Sequence, residues 1–128
     1  MDRAQLLKVL QDIVGAENVV FHPDDLLVYE YDGSVDRGIP SVVVLPGSTD
    51  EVCQVMAIAF QEGIAVAGRG SGTGLSGGAI APPGGMQIVF TRMNRILEVD
   101  VENRTAVVEP GVINLDLDTH VRRLGLRY

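Results

Sequence analysis

One stretch limits this chain more than any other: GRGSGTGLSGGA, Gly68–Ala79. It holds six glycines, two serines and a threonine, in a chain of 128 residues with 15 glycines. Glycine loses more backbone freedom on folding than any other residue. Such a cluster serves turns of unusual dihedral angle, or a backbone that a ligand approaches closely. The stretch runs on into IAPPGG, where Pro82, Pro83, Gly84 and Gly85 forbid a helix of any length.

Two phosphate-binding designs are thereby excluded. A P-loop needs a lysine at the end of its glycines, and the only lysine is Lys8. Gly72, Gly74 and Gly77 spell G-x-G-x-x-G, but that fingerprint works by opening a helix whose N-terminus faces a pyrophosphate. A third design needs no helix. Consecutive backbone N–H groups converge on an anion in a nest; Ser71, Thr73 and Ser76 add hydroxyls, and Arg69 adds positive charge. A surface loop without a ligand is the plain alternative, although a plain turn needs only one or two glycines.

The segments before the loop read as a βαβ unit. SVVVLP (41–46) is a short β-branched run typical of a buried strand. Ser48 and Glu51 give a capping-box helix start, and Val52, Val55, Met56, Ala59 and Phe60 form an apolar stripe ending at Gly63. IAVAG (64–68) is a second strand, expected parallel and adjacent to the first. Further upstream, Leu6, Leu10, Ile13 and Val14 mark a helix over 3–14, and a short helix is expected after Pro23 with a turn at Asp32-Gly33. After the loop, 86–90, 95–100 and 104–111 read as three short strands joined by tight turns. A final helix is expected over 114–125, N-capped by Asn114 and stopped by Gly125. Asp116 and Asp118 are placed in its first turn and Arg122 and Arg123 in its last. The expected fold is α+β: a βαβ unit plus a β-meander forming a small mixed sheet with helices packed on it.

Composition narrows the function. Hydrophobic residues make up 46% and charged residues 21%, enough apolar material for one cored domain. The net charge is −7, the basic residues are scattered and there is no Trp, which argues against nucleic acid. A single cysteine, Cys53, and two distant histidines, His22 and His120, exclude a disulfide scaffold and a zinc site. Cys53 is expected to be a small buried hydrophobe. No catalytic residue emerges: neither histidine has a recognisable partner, and Asp100 and Glu102 flank a hairpin turn. The amphipathic N-terminus is not a signal peptide and no apolar run is long enough to span a membrane, so a cytoplasmic location is expected.

RGSGTGLSGGA (69–79) followed by RMNRILEVDVENRTAVVEPGV (92–112) resembles the first FAD-binding subdomain of the vanillyl-alcohol oxidase / para-cresol methylhydroxylase superfamily. Within it, the likeness is to flavoprotein subunits of glycolate oxidase and FAD-linked D-lactate dehydrogenases. LLVYEYDGS (26–34) and the surroundings of Pro46 and Val52 fit the same pattern. The resemblance implies an N-terminal helical segment over 1–37, then the first half of a PCMH-type FAD-binding domain over 38–128, cut before its second half. It implies that Gly70, Ser71, Gly72, Thr73 and Gly74 contact the FAD phosphates, helped by Arg69, with Ser76, Gly78 and Ala79 completing the wall. It places Pro46 near the adenine side and Gly111 facing the cofactor. Arg92, Asn94 and Arg95 shape a turn. No histidine lies between His22 and His120, so the FAD is expected to be noncovalent.

The function so implied is FAD binding within an oxidoreductase acting on a 2-hydroxy acid such as glycolate or D-lactate. Other subunits of a glycolate-oxidase-like complex are implied as partners. The half-domain's inner face is expected to be apolar and to favour self-association. Two other readings stay open: a module that keeps the fold without chemistry, and a binder of a different phosphorylated ligand.

Overall fold

The computed structural model describes residues Met1–Tyr128. Its N-terminal helix α1, Arg3–Val14, begins at a capping box: the Asp2 side chain accepts from the Gln5 amide, and Gln5 reaches back to the Asp2 amide. The chain continues through a two-residue strand β1, Val19–Val20, and a short helix α2, Pro23–Leu26. Strand β2, Val42–Val44, leads to helix α3, Thr49–Gln61, and strand β3, Val66–Arg69. After the glycine loop come β4, Met86–Val89; β5, Ile96–Asp100; β6, Thr105–Val108; and helix α4, Asn114–Arg122.

The mixed sheet has the order β1-β2-β4-β3. β1 is antiparallel to β2, and β4 is parallel to both β2 and β3. β2 and β3 are therefore parallel, as a βαβ unit requires, but not adjacent: β4 lies between them. Nor do the three late strands form one meander. β4 joins the main sheet, while β5 and β6 pair with each other as a separate antiparallel ribbon. Burial explains the division. All four residues of β4 are buried, as suits a central strand, whereas all four of β6 are exposed.

Alternation along the strands builds two cores. Val42, Val44, Met86 and Ile88 face α1 and α3, packing with Leu10, Val14, Val55 and Ala59. Val43 and Val89 face the other way and pack with Leu26. The segment before β2 is thus not only helical: it adds an edge strand and covers the second face of the sheet.

Local expectations meet corrections at three places. Cys53 is exposed, because only Val55 and Ala59 of the α3 stripe reach the core; Phe60 is 86% exposed. Asn114 is the first residue of α4 rather than its cap, which falls at Ile113 without a side-chain bond. Asp118 lies beyond the first turn and pairs with Arg122 at 2.6 Å. The helix ends at Arg122 with Arg123 as its C-cap, short of the expected stop, and Gly125, with φ of 76°, sits in the turn that follows.

The ribbon is anchored at its base by a buried carboxylate. Glu109 accepts from the Arg95 amide at 2.8 Å and from its guanidinium at 2.7 Å. The Arg95 side chain first, and its backbone N–H second, hold the Glu109 carboxyl below the ordinary carboxylate value. A depressed folded-state pKa contributes stability that is complete above the unfolded value and lost as pH falls through the folded one. Denaturant titrations from neutral pH downward should lose stability below about pH 4.5. Glu109→Gln should lose less over that window; superimposable acid limbs would remove Glu109 from the explanation.

Candidate functional site

β3 and β4 are parallel neighbours, so the chain must return from the C-terminal end of one to the N-terminal end of the other. A helix usually makes this return, and its amides would then be consumed internally. Here residues 70–85 make it as a loop. Ile80 donates to the Gly77 carbonyl and Gly85 to that of Pro82, but no amide from Gly70 to Ser76 donates to a backbone carbonyl. Ser71, Thr73 and Ser76 are exposed. With Gly70, Gly72, Gly74, Leu75, Gly78 and Ala79 they line a shallow concavity of about 350 Å³. Unpaired donors facing solvent are free for water or a ligand.

The glycines divide by cause. Gly72 has φ of 71°, and a Cβ there would collide with the Arg69 guanidinium. Gly70, Gly74 and Gly78 are different: none has positive φ, and a Cβ on any of them would meet nothing within 4 Å. The chain's own packing does not require glycine at these three positions. A group approaching the backbone from outside would require it.

Beneath the loop lies a polar floor. In the β3–β4 register Arg69 is opposite Val89 and Ala67 is opposite Gln87, so Arg69 and Gln87 share one face of the sheet. Arg69 is 9% exposed; it donates to the Tyr31 carbonyl at 2.7 Å and its guanidinium lies 5.7 Å from the Tyr29 ring centroid. Gln87 is 0% exposed and donates through Nε2 to the Ala79 carbonyl. Asp32, 7% exposed, accepts from the Ser34 amide at 2.7 Å. Ser34 contributes most to holding this carboxyl below its ordinary range, followed by the Ala79 amide and the Arg69 charge. The Gly33 amide donates to the Gly74 carbonyl at 2.8 Å, fastening the loop's middle to the same segment. One oxygen of each buried acid or amide, Asp32 Oδ2 and Gln87 Oε1, has no partner; leaving such an atom unsatisfied costs about 1–3 kcal/mol.

The structure therefore gathers Gly70 to Gly74, Ser76, Gly78 and Ala79 around one concavity. Arg69 supports them from below, its side chain spoken for by Tyr31. Pro46 and Gly111 do not line the concavity. Pro46 is fully buried. Gly111 is pressed against the backbone carbonyls of Phe90 and Met93. Arg92 donates to the Leu45 carbonyl at 2.6 Å and Arg95 binds Glu109, both structural roles. Nothing in the sequence motifs marks Asp32 or Gln87 as a site residue. A polar residue in the middle of an otherwise apolar strand, MQIVF, was the available signal for Gln87.

The FAD binding domain family matches residues 40–128. The glycolate oxidase subunit GlcD of Bacillus subtilis (strain 168) is 40% identical over 120 residues, covering 93% of this chain and 26% of that protein. The D-lactate dehydrogenase of Anaerostipes hadrus is 36% identical over 117 residues, covering 91% and 23%. Among solved structures, p-cresol methylhydroxylase superposes with a TM-score of 0.85 over 96% of this chain and 25% of that one, at 23% identity, a likeness of fold. The chain spans about a quarter of the length of these proteins. No helix is long and apolar enough to cross a membrane.

Proposed function

The chain belongs to the FAD binding domain family, and from that premise we propose that its glycine loop holds the FAD pyrophosphate within an oxidoreductase acting on a 2-hydroxy acid. Gly70, Ser71, Gly72, Thr73 and Gly74 present amides and hydroxyls to the phosphates. Ser76, Gly78 and Ala79 complete the wall, and Arg69 adds its charge from below. Pro46 is assigned to the neighbourhood of the adenine and Gly111 to the side of the last strand that faces the cofactor. One observation carries this reading: unpaired amides run from Gly70 to Ser76, beside glycines that nothing in the protein's own packing explains. The residues fit a pyrophosphate, since the concavity holds donors and no carboxylate.

Bound FAD would supply the hydride acceptor for oxidation at the α-carbon of the acid. The chain's own part is to bind and orient. Its concavity contains no histidine, lysine or carboxylate to move a proton, and FAD is held there without a covalent bond. The substrate class rests on the relatives, named for glycolate and for D-lactate. One of them is named as a subunit, which supports other subunits as partners.

Amide NMR of this chain tests the reading. FAD and ADP should shift the resonances of Gly70–Ser76, while riboflavin, which lacks phosphate, should not. Shifts confined to another surface would overturn the loop assignment; equal shifts with any phosphorylated ligand would favour a different cofactor. The chain should bind FAD weakly and show no glycolate or D-lactate turnover above free FAD. The flavin ring left in water forfeits about 25 cal/mol per Å² of unburied apolar surface. Stoichiometric flavin surviving dialysis would contradict this.

A further inference from the structure

We propose that Gln87 is a positioning residue that grips the Ala79 carbonyl from the central strand and holds the exit of the glycine loop in its anion-accepting shape. The inference rests on the loop being the phosphate site. Ala79 closes the concavity at its C-terminal end. Its carbonyl accepts from Gln87 Nε2. Gln87 stands on β4, the central strand, with no exposed surface. The segment leading to β2 takes the Arg69 side chain at Tyr31 and the Gly74 carbonyl at Gly33. The loop is thus fastened at its entry, middle and exit to one floor.

The unpaired Oε1 argues that the grip is what the Gln87 side chain is for. An apolar residue would fill its space without burying an acceptor that nothing satisfies. What an apolar residue lacks is the bond to Ala79. The exit also has little else to hold it. Ile80 donates to Gly77 within the loop, but no other backbone bond ties residues 75–81 to the rest of the chain.

Gln87→Met keeps an unbranched side chain of similar size and removes the donor. In the unliganded chain, hydrogen exchange at the Ala79 and Ile80 amides should accelerate, while exchange at Val42–Val44 and the unfolding midpoint stay unchanged. FAD and ADP affinity should fall about tenfold, as expected for one lost hydrogen bond that orders the site. Gln87→Glu keeps the shape but replaces the donor with an acceptor, and should accelerate exchange at least as much. Unchanged loop exchange in Gln87→Met overturns the grip, whatever happens to affinity. Accelerated exchange with unchanged FAD and ADP affinity upholds the grip and instead overturns the loop as the phosphate site. Should Gln87→Met fail to fold, Gln87→Leu, which also fills the space without a donor, decides by the same measurement.

Discussion

Gly74→Val is expected to abolish FAD binding while leaving the unfolding midpoint where it is. The two halves of this result come from one geometric fact. A Cβ at Gly74 meets no atom within 4 Å, and the residue does not have positive φ, so valine is admitted without strain. On the proposed reading, the same side chain stands in the space that a phosphate would enter to reach the amides around it. Charge-assisted hydrogen bonds contribute about 1.5–3 kcal/mol each, and blocking one or two of them lowers affinity about 100-fold or more. Gly72→Val is the instructive contrast. There the side chain strikes the Arg69 guanidinium and φ is 71°, so stability and binding should fall together. Differential scanning fluorimetry of the free chain, paired with a FAD titration, separates the two variants. Retained affinity in Gly74→Val would show that nothing approaches the loop backbone there.

The loop was legible in the sequence because its signal is local. Glycines, hydroxyls and the prolines that forbid a helix lie within one short stretch, and the inference from them to a nest needs no knowledge of pairing. The floor was not legible, because it exists only once β4 has inserted between β2 and β3. Arg69 shows the difference. Read along the chain, it belongs to the loop and looks like a free cation. Read across the sheet, it is the last residue of β3, and the pleat turns it toward Tyr29 and Tyr31. Strand order failed for the same reason: helix-crossover reasoning makes β2 and β3 parallel, but only the burial of β4 on both faces selects it as the central strand. α3 erred in the opposite direction. Its stripe of five apolar residues is wider than the contact it makes, so Met56 and Phe60 remain outside.

Gly111→Ala is expected to destabilise the free chain severely, before any cofactor is considered. Its amide donates to the Met93 carbonyl at 2.8 Å, and the Met93 amide donates in turn to the Phe90 carbonyl at 2.9 Å. A Cβ on residue 111 would overlap the Phe90 carbonyl and stand 2.8 Å from that of Met93. Both obstacles are backbone, so no rotamer change relieves them. Phe90 is not free to withdraw either, since its amide is bonded to the Arg69 carbonyl at 2.9 Å where β3 ends. Overpacking against movable side chains costs about 1–3 kcal/mol, and an immovable carbonyl places this variant at the upper end or beyond. For a chain of this size that is a fall of roughly 10 °C in midpoint. A glycine needed only to face FAD would behave otherwise: alanine would leave the free chain's midpoint unchanged and lower affinity alone. Thermal unfolding without ligand therefore decides between the two roles. A large fall assigns Gly111 to the turn between β6 and α4, where it packs on the β4–β5 connection. It also predicts a secondary loss of FAD affinity, transmitted through Phe90 to the Arg69 backbone from which the glycine loop departs.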